Sequence, residues 1–255
     1  MNLFYQQFGK GPAFIILHGL FGSSDNWKTI GNTLSQQFEV FLIDLRNHGR
    51  SFHSPEFNYS AMSNDIEELI LEKNLDTIIL MGHSMGGKVA MTYALQHQER
   101  INKLIIVDIA PKYYPPHHQK YIDAFHSINL DTVTSRKEVE QHFTERVSDI
   151  GERQLLLKNL YWNENDRLAW RLNIDAISNN IEEMCQGQEA FVSKAFNKPS
   201  LFIRGEKSKY ISNEDEKLIK NLFPQAHIKT IPDAGHWLHA EKPQEFLECI
   251  FRFVE

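Results

Sequence analysis

The sequence predicts an α/β protein, a mostly parallel sheet flanked by helices and interrupted once by a long helical insertion. Three observations carry that reading. Short apolar runs recur at 14–17, 40–43, 77–81, 104–107, 201–203 and 228–231, continuous rather than alternating, as strands buried on both faces require. Helical periodicity separates most of them, which is the rhythm of βαβ units. Between residues 111 and 198 the rhythm stops and only helical patterns remain.

Taken in order, the run at 14–17 is followed by the small-residue segment His18-Gly19-Leu20-Phe21-Gly22 and by Asp25, read as the cap of a helix over 27–34. After the run at 40–43, Ser60 is expected to cap a helix whose Met62, Ile66, Leu69 and Ile70 form one stripe. The run at 77–81 leads through a glycine-rich turn into a helix over 88–97. From 111 to 198 the sets Val139, Phe143, Val147, then Leu155, Leu156, Leu160, then Ile174, Ile177, Ile181 have helical spacing, and no strand is expected. A segment of that length is too long for a loop. It reads as a helical lid opened by the stiff Tyr113-Tyr114-Pro115-Pro116, inserted before the penultimate strand. The catalytic domain is then discontinuous, 1–110 and 199–255. The final helix starts near Pro243 and presents Phe246, Leu247, Ile250, Phe251 and Val254 on one side.

Composition excludes several classes. The chain of 255 residues carries 27 basic and 33 acidic side chains, a net charge of −6, the opposite of the basic footprint that a nucleic-acid partner requires. Two cysteines, Cys185 and Cys249, make no disulfide framework and suggest a reducing, cytoplasmic compartment. No apolar segment approaches the ~20 residues of a membrane span, and no signal-peptide core is legible. None of the 12 histidines falls in an HExxH pattern, so no metal site is expected. The sequence carries no signal for oligomeric state.

The chemistry is concentrated in Gly82-His83-Ser84-Met85-Gly86-Gly87, placed between strand-like and helix-like segments. A serine in G-x-S-x-G at such a junction sits on a turn so tight that its hydroxyl projects from the sheet edge. Serine needs a base. His236, in Asp233-Ala234-Gly235-His236-Trp237 after the last strand-like run, would arrive at the same edge of a parallel sheet. A tetrahedral intermediate also needs amide donors, and the Leu20 and Met85 N–H groups are candidates. Phe21, His83, Trp237 and, from the insertion, Tyr113, Phe143, Trp162 and Trp170 are candidates for a substrate pocket, the insertion's own core being the alternative for its aromatics. Asn47, His48 and Arg50 are read as loop braces.

The segments HGLFGSSDNW, DLRNHGRS, GHSMGGKVA, VDIAP and AGHWLHAEKP, in that order over nearly the whole chain, resemble the α/β-hydrolase superfamily, and within it small bacterial esterases of the YbfF type. The resemblance implies hydrolysis of carboxylic esters or thioesters, acyl-CoA esters among them, through an acyl-enzyme and without a cofactor. Acyl transfer or perhydrolysis on the same residues is an alternative, and a ligand receptor on the same scaffold is another. The resemblance also carries the triad acid to Asp108. Most of the superfamily places it three residues past a glycine beyond the lid, and here Gly205 is followed by Glu206, Lys207 and Ser208. Glu206 and Asp233 therefore stay open as alternative acids.

Overall fold

The protein, described here from a computed structural model over residues 2–188, 191 and 194–255, is built on a seven-stranded sheet. Its strands are β1 (Tyr5–Phe8), β2 (Ala13–Leu17), β3 (Glu39–Ile43), β4 (Ile78–His83), β5 (Ile101–Val107), β8 (Ser200–Gly205) and β9 (Ala226–Ile231), in the order β1-β3-β2-β4-β5-β8-β9. All neighbours are parallel except β1, which pairs antiparallel with β3, Tyr5 opposite Ile43. β1 is not among the apolar runs of the sequence, being a short, half-exposed edge strand. It turns into β2 through Gly9 at φ +75°, where a Cβ would stand 2.3 Å from the Ser35 carbonyl oxygen.

The continuous apolar runs are explained by two cores. Ile15 and Leu17 of β2 face a cluster with Leu80, Met62 and Val89, whereas Phe14 and Ile16 face a second one with Trp27, Phe246 and Ile250. Helices α2 (Tyr59–Glu72) and α3 (Met85–Gln96) supply the first face; α1 (Lys28–Leu34) and the C-terminal helix (Pro243–Val254) supply the second. Two caps differ from expectation. Asn58, extended at φ −147°, caps α2 by accepting from the Ala61 N–H at 2.8 Å, so Ser60 lies inside the helix. Ser23 precedes a 3-10 turn over Ser24–Trp27 and Asp25 sits within it.

Between β5 and β8 lie α4 (Gln119–His126), α5 (Arg136–Thr144), α6 (Ile150–Leu157), α7 (Ile174–Asn179) and α8 (Ile181–Cys185), together with a hairpin, β6 (Leu160–Trp162) and β7 (Leu168–Trp170). The hairpin corrects the expectation of a strand-free insertion: strands of three residues are too short to produce a run or an alternation. The insertion is fastened to the sheet domain by Asn159 Nδ2 donating to the Phe21 carbonyl (2.8 Å), the Asn173 N–H to that of Asn47 (3.0 Å) and the Tyr59 hydroxyl to that of Met184 (2.7 Å). Among the described residues no helix is long and apolar enough to cross a membrane.

Candidate active site

The parallel sheet brings four loops to one edge. β2 releases His18–Phe21, β4 ends at Ser84, β5 at Asp108, and β9 leads to His236. β4 and β5 are neighbours with His83 opposite Val107, so Ser84 and Asp108 leave adjacent strands.

Ser84 has φ +52° and ψ −119° between β4 and α3, and its N–H donates to the Val107 carbonyl at 3.0 Å. The turn closes only because its flanks lack side chains: a Cβ on Gly82 would stand 2.1 Å from the Gly86 oxygen, and one on Gly86 2.5 Å from the Leu17 and His18 oxygens. A backbone held in such a region costs about 1–3 kcal/mol and persists where the surroundings over-determine it. Met85 opens α3, so its N–H belongs to the first helical turn, whose amides lack intrahelical acceptors. Gly19, the residue before Leu20, packs against Ser84, with 3.3 Å between an ideal Cβ on Gly19 and Ser84 Cβ.

Asp108, also at positive φ (+51°), is buried. Its Oδ1 accepts from the Gly205 N–H (3.1 Å); its Oδ2 accepts from the Ser208 hydroxyl and from His236 Nδ1 at 2.7 Å. A carboxylate only accepts, so Nδ1 of His236 carries a proton, and in the neutral ring Nε2 is the nitrogen with the lone pair. The ring stacks on Tyr210 at 4.0 Å and 21°. Its backbone is held too: His83 Nε2 donates to the His236 carbonyl (2.9 Å), and Glu241 accepts from the Gly235 and Trp237 N–H groups (2.7 and 3.1 Å). Glu206 points elsewhere, accepting from the Asp233 N–H at 2.9 Å, and Asp233 pairs with Lys207 at the surface. Ser208, three residues past Gly205, is no carboxylate but donates its hydroxyl to one, that of Asp108.

The loop bearing Leu20 is braced by two buried imidazoles. His48 Nε2 accepts from the Phe21 N–H (3.2 Å) while its Nδ1–H donates to the Arg46 carbonyl; His18 Nε2 accepts from the Leu45 N–H (3.1 Å) while its Nδ1–H donates to the Gly19 carbonyl. Both rings must be neutral to do this. Burial pushes His18 down to about 4 and His48 to about 3; His239, stacked on Trp27 at 4.1 Å, is likewise pushed to about 3. Below pH 6.5 the unfolded chain takes up protons that these folded rings refuse, so stability falls with falling pH, each ring adding at most about 1.4 kcal/mol per pH unit. The melting temperature measured by calorimetry is expected to be insensitive to these rings above pH 7 and to drop steeply between pH 6.5 and 5. A flat profile there would show that they are charged or solvated. Arg50 and Asn47 also brace the loops: the Arg50 N–H donates to Asp44 (2.8 Å), and Asn47 Oδ1 accepts from the Ser54 N–H (2.8 Å).

Ser84 and His236 line a cavity of about 370 Å³ together with Leu20, Phe21, His83 and Trp237. The other expected lining residues lie outside it. Tyr113 is 44% exposed and Trp162 50% exposed; Trp170 is packed edge-on against Phe125 (4.9 Å, 90°) and near Phe143 (5.8 Å), inside the insertion's own core. In their place the insertion contributes His117, His118, Tyr121, Leu155 and an ion pair of Lys120 with Glu152 (3.0 Å), and the loop after β8 contributes Tyr210. Of these only Leu155 stands out in the sequence, as part of a helical stripe. His117 donates through Nδ1 to the Pro115 carbonyl (2.9 Å) and accepts at Nε2 from the Tyr210 hydroxyl (2.6 Å). Among the described residues no group of three or more His, Cys, Asp or Glu could hold a metal ion.

A strained serine at a strand-to-helix turn, facing the same cavity as a histidine paired with a buried aspartate, on a parallel sheet with one antiparallel edge, defines the class of protein. The chain belongs to the α/β-hydrolase family: the family model described as the alpha/beta hydrolase fold matches residues 12–243. It is 39% identical to an sn-1-specific diacylglycerol lipase, ABHD11, of Danio rerio (all of this chain, 83% of that protein) and 32% identical to the esterase YbfF of Escherichia coli (96% and 94%). A probable alcohol acetyltransferase of Saccharomyces cerevisiae is 36% identical (96% and 77%). Among solved structures, a marine microorganism esterase superposes with a TM-score of 0.95 at 40% identity, over 99% of both chains.

Proposed function

We propose that the protein hydrolyses carboxylic esters, and thioesters by the same route, with Ser84 as nucleophile, His236 as general base and acid, and Asp108 as the acid of the triad. The observation that carries the reading is the Asp108–His236 bond of 2.7 Å, which leaves Nε2 basic beside the cavity that Ser84 lines. Nε2 takes the Ser84 proton as Oγ attacks the acyl carbon; the Leu20 and Met85 amides hold the developing oxyanion, a pair of donors worth about 2.7–4 kcal/mol each. His236 then returns the proton to the leaving oxygen or sulfur. Water, deprotonated by the same nitrogen, frees the acid and restores the serine. Residues 111–198 act as a lid that shapes the space above Ser84. The relatives named esterases and lipase support ester cleavage, and the free thiols of Cys185 and Cys249 support a cytoplasmic setting.

A fluorophosphonate probe is expected to label Ser84 alone, and pre-steady-state hydrolysis of p-nitrophenyl butyrate to give a burst of one nitrophenolate per site. Absence of both would remove the acyl-enzyme. Acyl transfer is the second reading, favoured by the acetyltransferase relative: the acyl-enzyme is the same and an alcohol replaces water. Product analysis with competing alcohols separates the two, transfer being shown by ester product in excess of the alcohol's mole fraction.

A further inference from the structure

The space around Ser84 is divided, and the division assigns the two halves of the substrate. Besides the 370 Å³ cavity there is a second, much smaller one of about 30 Å³, and Ser84, Leu20, His117, His118 and Tyr210 stand in the wall between them, lining both. The rest of the small cavity's wall is Met85, Ile109, Met184, Tyr59, Tyr114 and Lys88, whose ammonium is taken up by backbone carbonyls, and His236 is not among its lining residues. The large one contains His236 and Trp237 and the polar side chains of Lys120, Tyr121 and Glu152.

Resting on the serine-hydrolase reading above, the geometry points to a short aliphatic acyl group seated in the small cavity and a larger, polar alcohol or thiol seated in the large one. The reason is the stereochemistry of the tetrahedral carbon. Of its four substituents, one is Ser84 Oγ and one is the oxyanion held by the Leu20 and Met85 amides. The leaving atom must be the one that His236 protonates, so it points into the cavity that His236 lines. The acyl chain takes the remaining direction, toward Met85, Ile109 and Met184. At roughly 10–15 Å³ for each water-sized group, 30 Å³ accepts at most two or three carbons beyond the carbonyl, hence chains no longer than butyryl.

The wall is fastened rather than soft. The Tyr59 hydroxyl holds the Met184 carbonyl at 2.7 Å, and the Tyr114 hydroxyl donates to the Tyr210 carbonyl while accepting from the Ala110 N–H at 2.9 Å. The buried ammonium of Lys88, one turn along α3 from Ser84 and in the same wall, donates to the carbonyls of Lys112 (2.9 Å), Cys185 (3.2 Å) and Gln186, thereby tying the start of the insertion to its 185–186 segment beside the cavity. A longer chain would have to break these bonds to enter.

The test is a series of p-nitrophenyl esters from C2 to C12, with kcat/KM read at each length and Ser84→Ala as the control. Wild-type protein is expected to fall at least about tenfold from C4 to C8, since a pocket discriminates by about 10–200-fold for a methylene it cannot seat. Met184→Ala is expected to raise the C8/C2 ratio about tenfold, and Leu155→Ala, in the large cavity, to shift it less than twofold while changing the preference between methyl and naphthyl butyrate. Equal wild-type rates on C4 and C12, or a C8/C2 ratio moved by Leu155→Ala and not by Met184→Ala, overturn the assignment and leave the serine mechanism standing. Turnover that survives Ser84→Ala overturns both.

Discussion

Ser84→Ala is expected to lower kcat for p-nitrophenyl butyrate by about 10⁴–10⁶-fold, the loss that follows removal of a triad nucleophile, while KM stays within a few-fold because the cavity walls are untouched. The backbone at 84 gives a second, independent readout. Alanine inherits the φ of +52° and therefore the strain, whereas glycine adopts that region without penalty. Ser84→Gly is expected to be as inactive as Ser84→Ala and more stable than it by about 1 kcal/mol, measured as a higher denaturant midpoint with an unchanged slope. A glycine variant no more stable than the alanine variant would show that the turn carries no strain. Residual activity above about one part in a thousand would show that another group attacks the acyl carbon.

That elbow was legible in the sequence because steric necessity writes it there. Gly82 and Gly86 have no room for a Cβ, and the nucleophile must follow a strand and precede a helix. The parallel strands were legible for a related reason: burial on both faces forces Phe14, Ile15, Ile16 and Leu17 to be apolar without a gap. What escaped the reading has no such one-dimensional trace. β1 exposes part of each side chain, and β6 and β7 pair over three residues only. Aromatics in the insertion pack on its own core or face the site according to three-dimensional placement alone. Thus Trp170 meets Phe125 and Phe143, Tyr113 turns outward, and its neighbour Tyr114 turns in toward Tyr210. Tyr210 was recoverable in principle, since it lies two residues past Ser208 on the loop leaving β8, at the same sheet edge as the other site residues. The polar partners of a carboxylate are harder: nothing in the string ties Ser208 to a residue a hundred positions away, although its hydroxyl and the Gly205 amide both donate to Asp108.

Those partners make the outcome at Asp108 calculable. With aspartate, Oδ2 accepts from Ser208 and from Nδ1 of His236, so the imidazole proton is confined to Nδ1. In Asp108→Asn the side-chain oxygen remains opposite the Gly205 N–H and the amide NH₂ takes the place of Oδ2. It now donates, so Nδ1 must accept and the ring proton moves to Nε2, the nitrogen proposed to remove the Ser84 proton. The wrong tautomer costs about 10⁴ in kcat, with little change in KM, and part of the loss should return at high pH, where the ring proton can be exchanged to hydroxide. Glu206→Gln retains the acceptor for the Asp233 N–H and is expected to stay within about twofold of wild type, as a substitution outside the proton path should. Steady-state kinetics on the two variants between pH 6 and 10 decides between the acids: a nearly inactive Glu206→Gln beside a fully active Asp108→Asn would move the triad carboxylate to the far side of the insertion.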